Sequence, residues 1–216
     1  FNKEINRFLL MIANLFVRTV SLNVALYFAS AFATSYGKEY IAAYTIAINI
    51  WFLGAFVIDG YSSAGNILSG KLFGAEKYDT LLKLGNKLIV YGVVVGVFMA
   101  IIGFIIYEPI GLLFSKDSSV LLEFKRVFWV VLAMQPLCAM TFIFDGSFKG
   151  LGEMKYLRNV LIFATTIGFI PTLILFDFLN FKLYAIWIAF TVWMFCRGIF
   201  LYFKFYRKFS PLAQKQ

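Results

Sequence analysis

Three ionisable side chains, Arg18, Asp59 and Asp145, sit in stretches that otherwise read as hydrocarbon. A charge in such a stretch is costly, and it marks either a transport pathway or a buried ion pair. Around Asp59, the residues Thr45, Asn49, Phe52, Phe56, Ser63 and Asn66 recur at steps of three and four, which puts all of them on one helical face. Facing lipid, a stripe of hydroxyl, amide and carboxylate groups would find no hydrogen-bond partners. It therefore faces a neighbouring helix or a water-filled cavity. Gln135, Cys138, Phe142, Asp145 and Lys149 repeat the pattern further along, and Asn14, Arg18 and Ser21 share a third face.

The chemistry these residues suit is recognition rather than bond-making. A polar, aromatic-lined cavity would let Asp59 titrate or bind a cation. Phe52, Phe56 and Phe142 would offer ring faces to flat, apolar, often cationic substrates. Thr45, Asn49, Ser63, Asn66, Gln135, Asp145 and Arg18 are the further candidates for that pathway. The alternative is structural: an Asp59–Arg18 ion pair, with amides and hydroxyls bonding between helices. For Arg18 itself the ion-pair role is favoured. Arg197 lies nearer the end of its apolar run and is expected to snorkel toward the headgroups.

Enzyme chemistry finds no support. Histidine is absent, so any proton coupling must run through carboxylates. The sequence has no Cys/His or Ser/His arrangement, no metal-ligand spacing and no phosphate-binding glycine loop. No cofactor or metal is expected. Cys138 and Cys196 both fall in apolar runs and carry no disulfide or redox reading.

The elements that must position these residues are membrane-spanning helices. Of 216 residues, 62% are hydrophobic, 20% aromatic and 14% charged, and the mean hydropathy is +0.83. Soluble domains are about 45–50% apolar and about 25% charged, so an ordinary globular protein is excluded, and so is disorder. The long unbroken apolar runs also exclude a transmembrane barrel, whose strands alternate. Spans are expected at about 8–34, 40–74, 88–107, 119–148, 156–176 and 183–202, forming one all-α bundle over 1–216. Gly70 and Gly74 should break the second run, and Pro109 should start a short helix in the connector after the third span. Pro136 and Pro171 should kink the fourth and fifth spans.

Charge gives the orientation. The N-terminus, second loop, fourth loop and C-terminus carry thirteen Lys and Arg, among them Lys3, Arg7, Lys71, Lys149, Arg158 and Lys215. The opposite loops carry five: Lys38, Lys116, Lys125, Arg126 and Lys182. Both termini are therefore expected in the cytoplasm. The net charge of +9 reflects this loop bias toward a lipid bilayer rather than affinity for nucleic acid.

Two further patterns bear on packing. Gly92-x-x-x-Gly96, with Gly103 beyond it, gives the third span a small-residue face for close helix contact. Ile58-Asp59-Gly60 and Phe144-Asp145-Gly146 are echoes of each other, and each is followed by a glycine and an acidic-basic turn. Internal repeats are common in transporters, which favours transport over a simple anchor.

The stretch from Ile41 to Tyr78, with its Ile58-Asp59-Gly60 and Gly70-Lys71-Leu72-Phe73-Gly74-Ala75, resembles the multidrug and toxic compound extrusion (MATE) transporters, in particular their DinF-like branch. Leu15 to Lys38, with Arg18 inside it, is similar to the seventh helix of that family, and Phe142 to Val160 to its tenth helix and following loop. The resemblance implies the C-terminal six-helix lobe of a twelve-helix transporter, with an N-terminal lobe facing it as partner. It implies export of small organic compounds, coupled to H+ or Na+ entry, across the plasma (inner) membrane by alternating access. The opening Phe1, rather than Met, agrees with a partial sequence. The NorM-like branch uses a carboxylate on its seventh helix, and the first span here holds none beyond Glu4 at its edge.

Two other functions stay open. A lipid-linked oligosaccharide or polysaccharide flippase of the same superfamily should show several cationic residues along its cavity helices to hold pyrophosphate, and the sequence offers Arg18. A six-helix scaffold without transport predicts that neutralising Asp59 changes stability and not flux.

Overall fold

The computed structural model describes residues 3–214, without the side chains of Lys3, Glu4 and Arg7. Phe1 and Lys215, named above, lie outside the described residues, as do the charged groups of Lys3 and Arg7. The elements are α1 (Lys3–Ser35), α2 (Lys38–Gly74), α3 (Tyr78–Phe114), α4 (Ser118–Ala133), α5 (Gln135–Gly150) and α6 (Met154–Phe163), then a π-helical turn (Ala164–Phe169), α7 (Ile170–Phe178) and α8 (Leu183–Ala213). Among the described residues there is no strand. Five stretches are long and apolar enough to cross a membrane, and there are six if the pair α4–α5, bent by 51°, counts as one broken span.

Proline chemistry explains both irregular spans. Pro136 stands in the first turn of α5, where its missing N–H has no helical acceptor to lose. The chain therefore bends at Met134, before the proline, instead of kinking within a helix. Ahead of Pro171 the helix widens: the N–H of Ile170 reaches back to the carbonyl of Thr165, one residue beyond the α pattern.

Other expectations are corrected. Pro109 does not begin a helix but lies inside α3, five residues before its end, where one missing hydrogen bond is tolerable. Gly70 does not break α2. It brings α2 against α5, since a Cβ at Gly70 would stand 3.0 Å from the carbonyl oxygen of Gly150. The third and sixth spans are longer than their apolar runs, α3 reaching from Tyr78 and α8 reaching to Ala213. Amphipathic, aromatic-rich ends such as Phe205, Tyr206 and Phe209 carry α8 onward.

α5 is the axis of the bundle, with α2, α3 and α8 packed around it. Close approach is secured by missing side chains. A Cβ at Gly146 or Gly150 would run into the backbone carbonyls of Ser62 and Asn66 on α2, and one at Gly96 of α3 would meet the Cα of Pro136 at 2.8 Å. The interior divides into two apolar clusters. One gathers Trp51, Phe124, Phe128, Cys138, Phe169, Trp187, Phe190, Trp193 and Met194. The other holds Leu81, Phe144, Phe148, Leu157, Leu201, Phe205 and Phe209. Along α5, Asp145 falls between Cys138 of the first cluster and Phe148 of the second. Along α8, Arg197 falls between Met194 and Leu201. The fold thus sandwiches one charged layer between two aromatic ones.

Candidate functional site

That layer is built on a single carboxylate. Asp145 Oδ2 accepts a hydrogen bond from Arg18 Nη2 of α1 and another, at 3.0 Å, from Arg197 Nη2 of α8. The Asp145 side chain is 8% exposed and that of Arg197 is 2% exposed, so the bridge is formed largely out of reach of water and lipid headgroups. Arg197 also lies over the Trp193 ring at 4.7 Å and the Phe142 ring at 5.9 Å, with its Nη1 3.5 Å from Met194 Sδ. These contacts disperse its charge over soft, polarisable groups.

Two expectations fall here. Arg197 does not snorkel, because α8 continues to Ala213 and leaves the arginine at mid-helix, far from either end. Arg18 does not pair with Asp59. Its partner is Asp145, because α5 runs through the middle of the bundle while the Asp59 face of α2 is turned outward.

A cavity of about 210 Å³ opens beside the triad. Its apolar wall is Leu22, Leu26, Trp51, Phe52, Ala55, Phe56, Phe142, Trp193 and Met194. Its charged groups are Arg18, Asp59, Asp145, Lys149 and Arg197. Of the residues singled out from sequence, the fold brings together Arg18, Phe52, Phe56, Asp59, Phe142 and Asp145. Among the described residues, the carboxylate of Asp59 has no hydrogen-bond or ion-pair partner. It stands exposed on the outer rim, with Phe56 beside it at 72% exposure.

The remaining candidates lie elsewhere. Thr45, Asn49 and Ser63 are exposed on the same face of α2 and bond back to their own helix, to the carbonyls of Ile41, Thr45 and Asp59. Asn66 lies at the α2–α5 contact against Gly150. Gln135 and Cys138 are buried in the core, where Cys138 Sγ accepts from Trp51 Nε1 at 3.4 Å. Asn14 meets α6, accepting from Arg158 Nη1 at 2.6 Å. Lys149, named on the Asp145 face, and Arg197, expected at the headgroups, also line the cavity, as do Trp51 and Trp193, which the sequence did not single out.

The comparisons with known proteins decide the family. The MatE family profile matches residues 14–174, most of the chain. The chain belongs to the MatE family. Among similar proteins of known name, Protein DETOXIFICATION 45, chloroplastic, from Arabidopsis thaliana is 30% identical over 139 residues, covering 64% of this MatE chain and 25% of that protein. The DNA damage-inducible protein F of Escherichia coli (strain K12) is 24% identical over 196 residues, covering 90% of this chain and 42% of that one. Among solved structures, a multidrug resistance MATE family transporter of the MOP superfamily in an outward-facing conformation superimposes with a TM-score of 0.88 at 18% identity. The match covers 99% of this chain and 48% of that transporter, a likeness of fold. The MatE chain is thus a multi-pass membrane protein that spans less than half the length of these relatives.

Proposed function

We propose that this MatE chain is one lobe of a DinF-like efflux transporter that exports small organic compounds in exchange for H+ or Na+. Alternating access would occur across the plasma (inner) membrane, with both termini cytoplasmic. A second six-helix lobe is its partner, closing the cavity from the exposed face of α2. One observation carries the reading. Asp59, an acid without a partner among the described residues, stands on the cavity rim next to Phe52 and Phe56. An intramembrane carboxylate that holds no helix together is free to bind and release an ion. Asp145, clamped by two arginines, serves structure.

The test is Asp59→Asn in the full-length transporter reconstituted in liposomes. Efflux of a fluorescent dye driven by a pH or sodium gradient should be lost while thermal unfolding stays unchanged. Undiminished gradient-driven efflux would sink the coupling role. The scaffold reading predicts the reverse pattern, altered stability without altered flux. A flippase gains one point from the structure, since Lys149 and Arg197 join Arg18 at the cavity.

A further inference from the structure

The charges around the cavity do not balance. Arg18, Lys149 and Arg197 bring three positive groups, and Asp59 and Asp145 bring two negative ones. Asp145 is shared between both arginines, so it offsets only one of them. Among the described residues Lys149 makes no ion pair; the acid whose charge it feels, four residues back on α5, is the Asp145 already shared by both arginines. Asp59 stands outward on the rim of α2. A second observation points the same way. The Nε of Arg18 is buried and has no acceptor among the described residues. A buried guanidinium N–H without an acceptor is costly, and so is an excess positive charge beside apolar walls.

We infer that the cavity takes an amphipathic organic anion: an aromatic compound with one oxyanion group, held by Lys149 and Arg18. Its ring would lie on Phe52, Phe56 and Phe142. The inference rests on the proposed transport reading and narrows its substrate class. It runs against the cationic substrates that the aromatic faces alone suggest, because ring faces accept any flat apolar body while the sign of the charge discriminates. An anion of charge minus one offsets the positive excess on this lobe and offers an acceptor to the Arg18 guanidinium. A cation would add to an existing excess.

The experiment uses the full-length transporter in liposomes and three probes: 2-naphthoate, its cationic counterpart (2-naphthyl)trimethylammonium, and geranyl pyrophosphate. Binding is followed by quenching of tryptophan fluorescence, since Trp51 and Trp193 line the cavity, and flux is measured separately. Naphthoate should bind at least about tenfold more tightly than the ammonium compound. Lys149→Gln should remove most of that preference and Lys149→Arg should restore it. Equal or tighter binding of the ammonium probe, or no binding by any probe, would overturn the inference. Tighter binding of geranyl pyrophosphate than of naphthoate would overturn it in favour of a lipid-linked anion. The two readings fail separately: gradient-driven export of the cation alone leaves transport standing and removes the anion, whereas naphthoate binding without any flux does the opposite.

Discussion

Asp145 Oδ2 stands 3.0 Å from Arg197 Nη2 while also accepting from Arg18, so one carboxylate holds α1 and α8 to α5. Its removal leaves two guanidinium groups in the bundle interior with no counter-charge between them. Asp145→Asn should therefore be the most destabilising single change in the layer, by about 3–5 kcal/mol. Thermal unfolding in detergent measures it. A midpoint equal to that of the unmodified protein would mean that the arginines find other partners.

Removing either arginine is a different perturbation, because Asp145 keeps the other and the local charge becomes neutral. Arg197→Ala should cost about 1–3 kcal/mol, since it also empties the space against Trp193 and Phe142. Arg18→Ala should cost less, its side chain being 13% exposed against 2% for Arg197. A double-mutant cycle of each arginine with Asp145 separates the charge contribution from packing. Equal costs for the two arginines would argue that packing around Arg197 contributes nothing.

The same layer shows what the sequence does and does not disclose. The all-helical membrane character, the Pro136 bend and the helical faces around Asp59 and Asp145 were readable, because apolar run length, proline chemistry and 3.6-residue periodicity are local properties. The partner of Arg18 was not. Asp59 and Asp145 carry the same Asp-Gly signature, and only the central position of α5 decides which acid an arginine on α1 can reach. Arg197 was misplaced for a related reason. Its helix end was read from falling hydropathy, whereas α8 continues through Lys204 and Arg207 as an amphipathic segment. Trp51 and Trp193 gave no signal, since a tryptophan in a span is ordinarily lipid contact or core.

Helix α4 begins on a capping contact outside the membrane that should show in a pH profile. Asp117 accepts from the Ser119 N–H at 2.9 Å and from its hydroxyl at 2.8 Å. These two hydrogen bonds hold its carboxyl below the ordinary aspartate range. A depressed folded-state value means that the cap contributes fully above the unfolded aspartate pKa of about 3.9 and is lost as pH falls through the lower folded value. The unmodified protein and Asp117→Ala should thus differ in unfolding midpoint by a constant amount from neutral pH down to about 4, then converge. A gap that closes well above that range would assign the stabilisation to some other group.

The two Asp-Gly motifs should respond oppositely to one methyl group. At Gly146 a new Cβ would run into Ser62, both its hydroxyl and its backbone, and helix backbone cannot yield as a flexible side chain does. At Gly60 nothing stands within 4 Å. Gly146→Ala should force α2 from α5 and cost about 1–3 kcal/mol as overpacking. It should also impair whatever Asp145 supports, because that carboxylate reaches Arg18 and Arg197 only while α5 keeps its place. Gly60→Ala adds helix propensity, worth up to about 1 kcal/mol, with no local clash. Detergent unfolding of both variants is the comparison to make. A loss at Gly60 matching that at Gly146 would show that the outer face of α2 is packed as closely as its inner one.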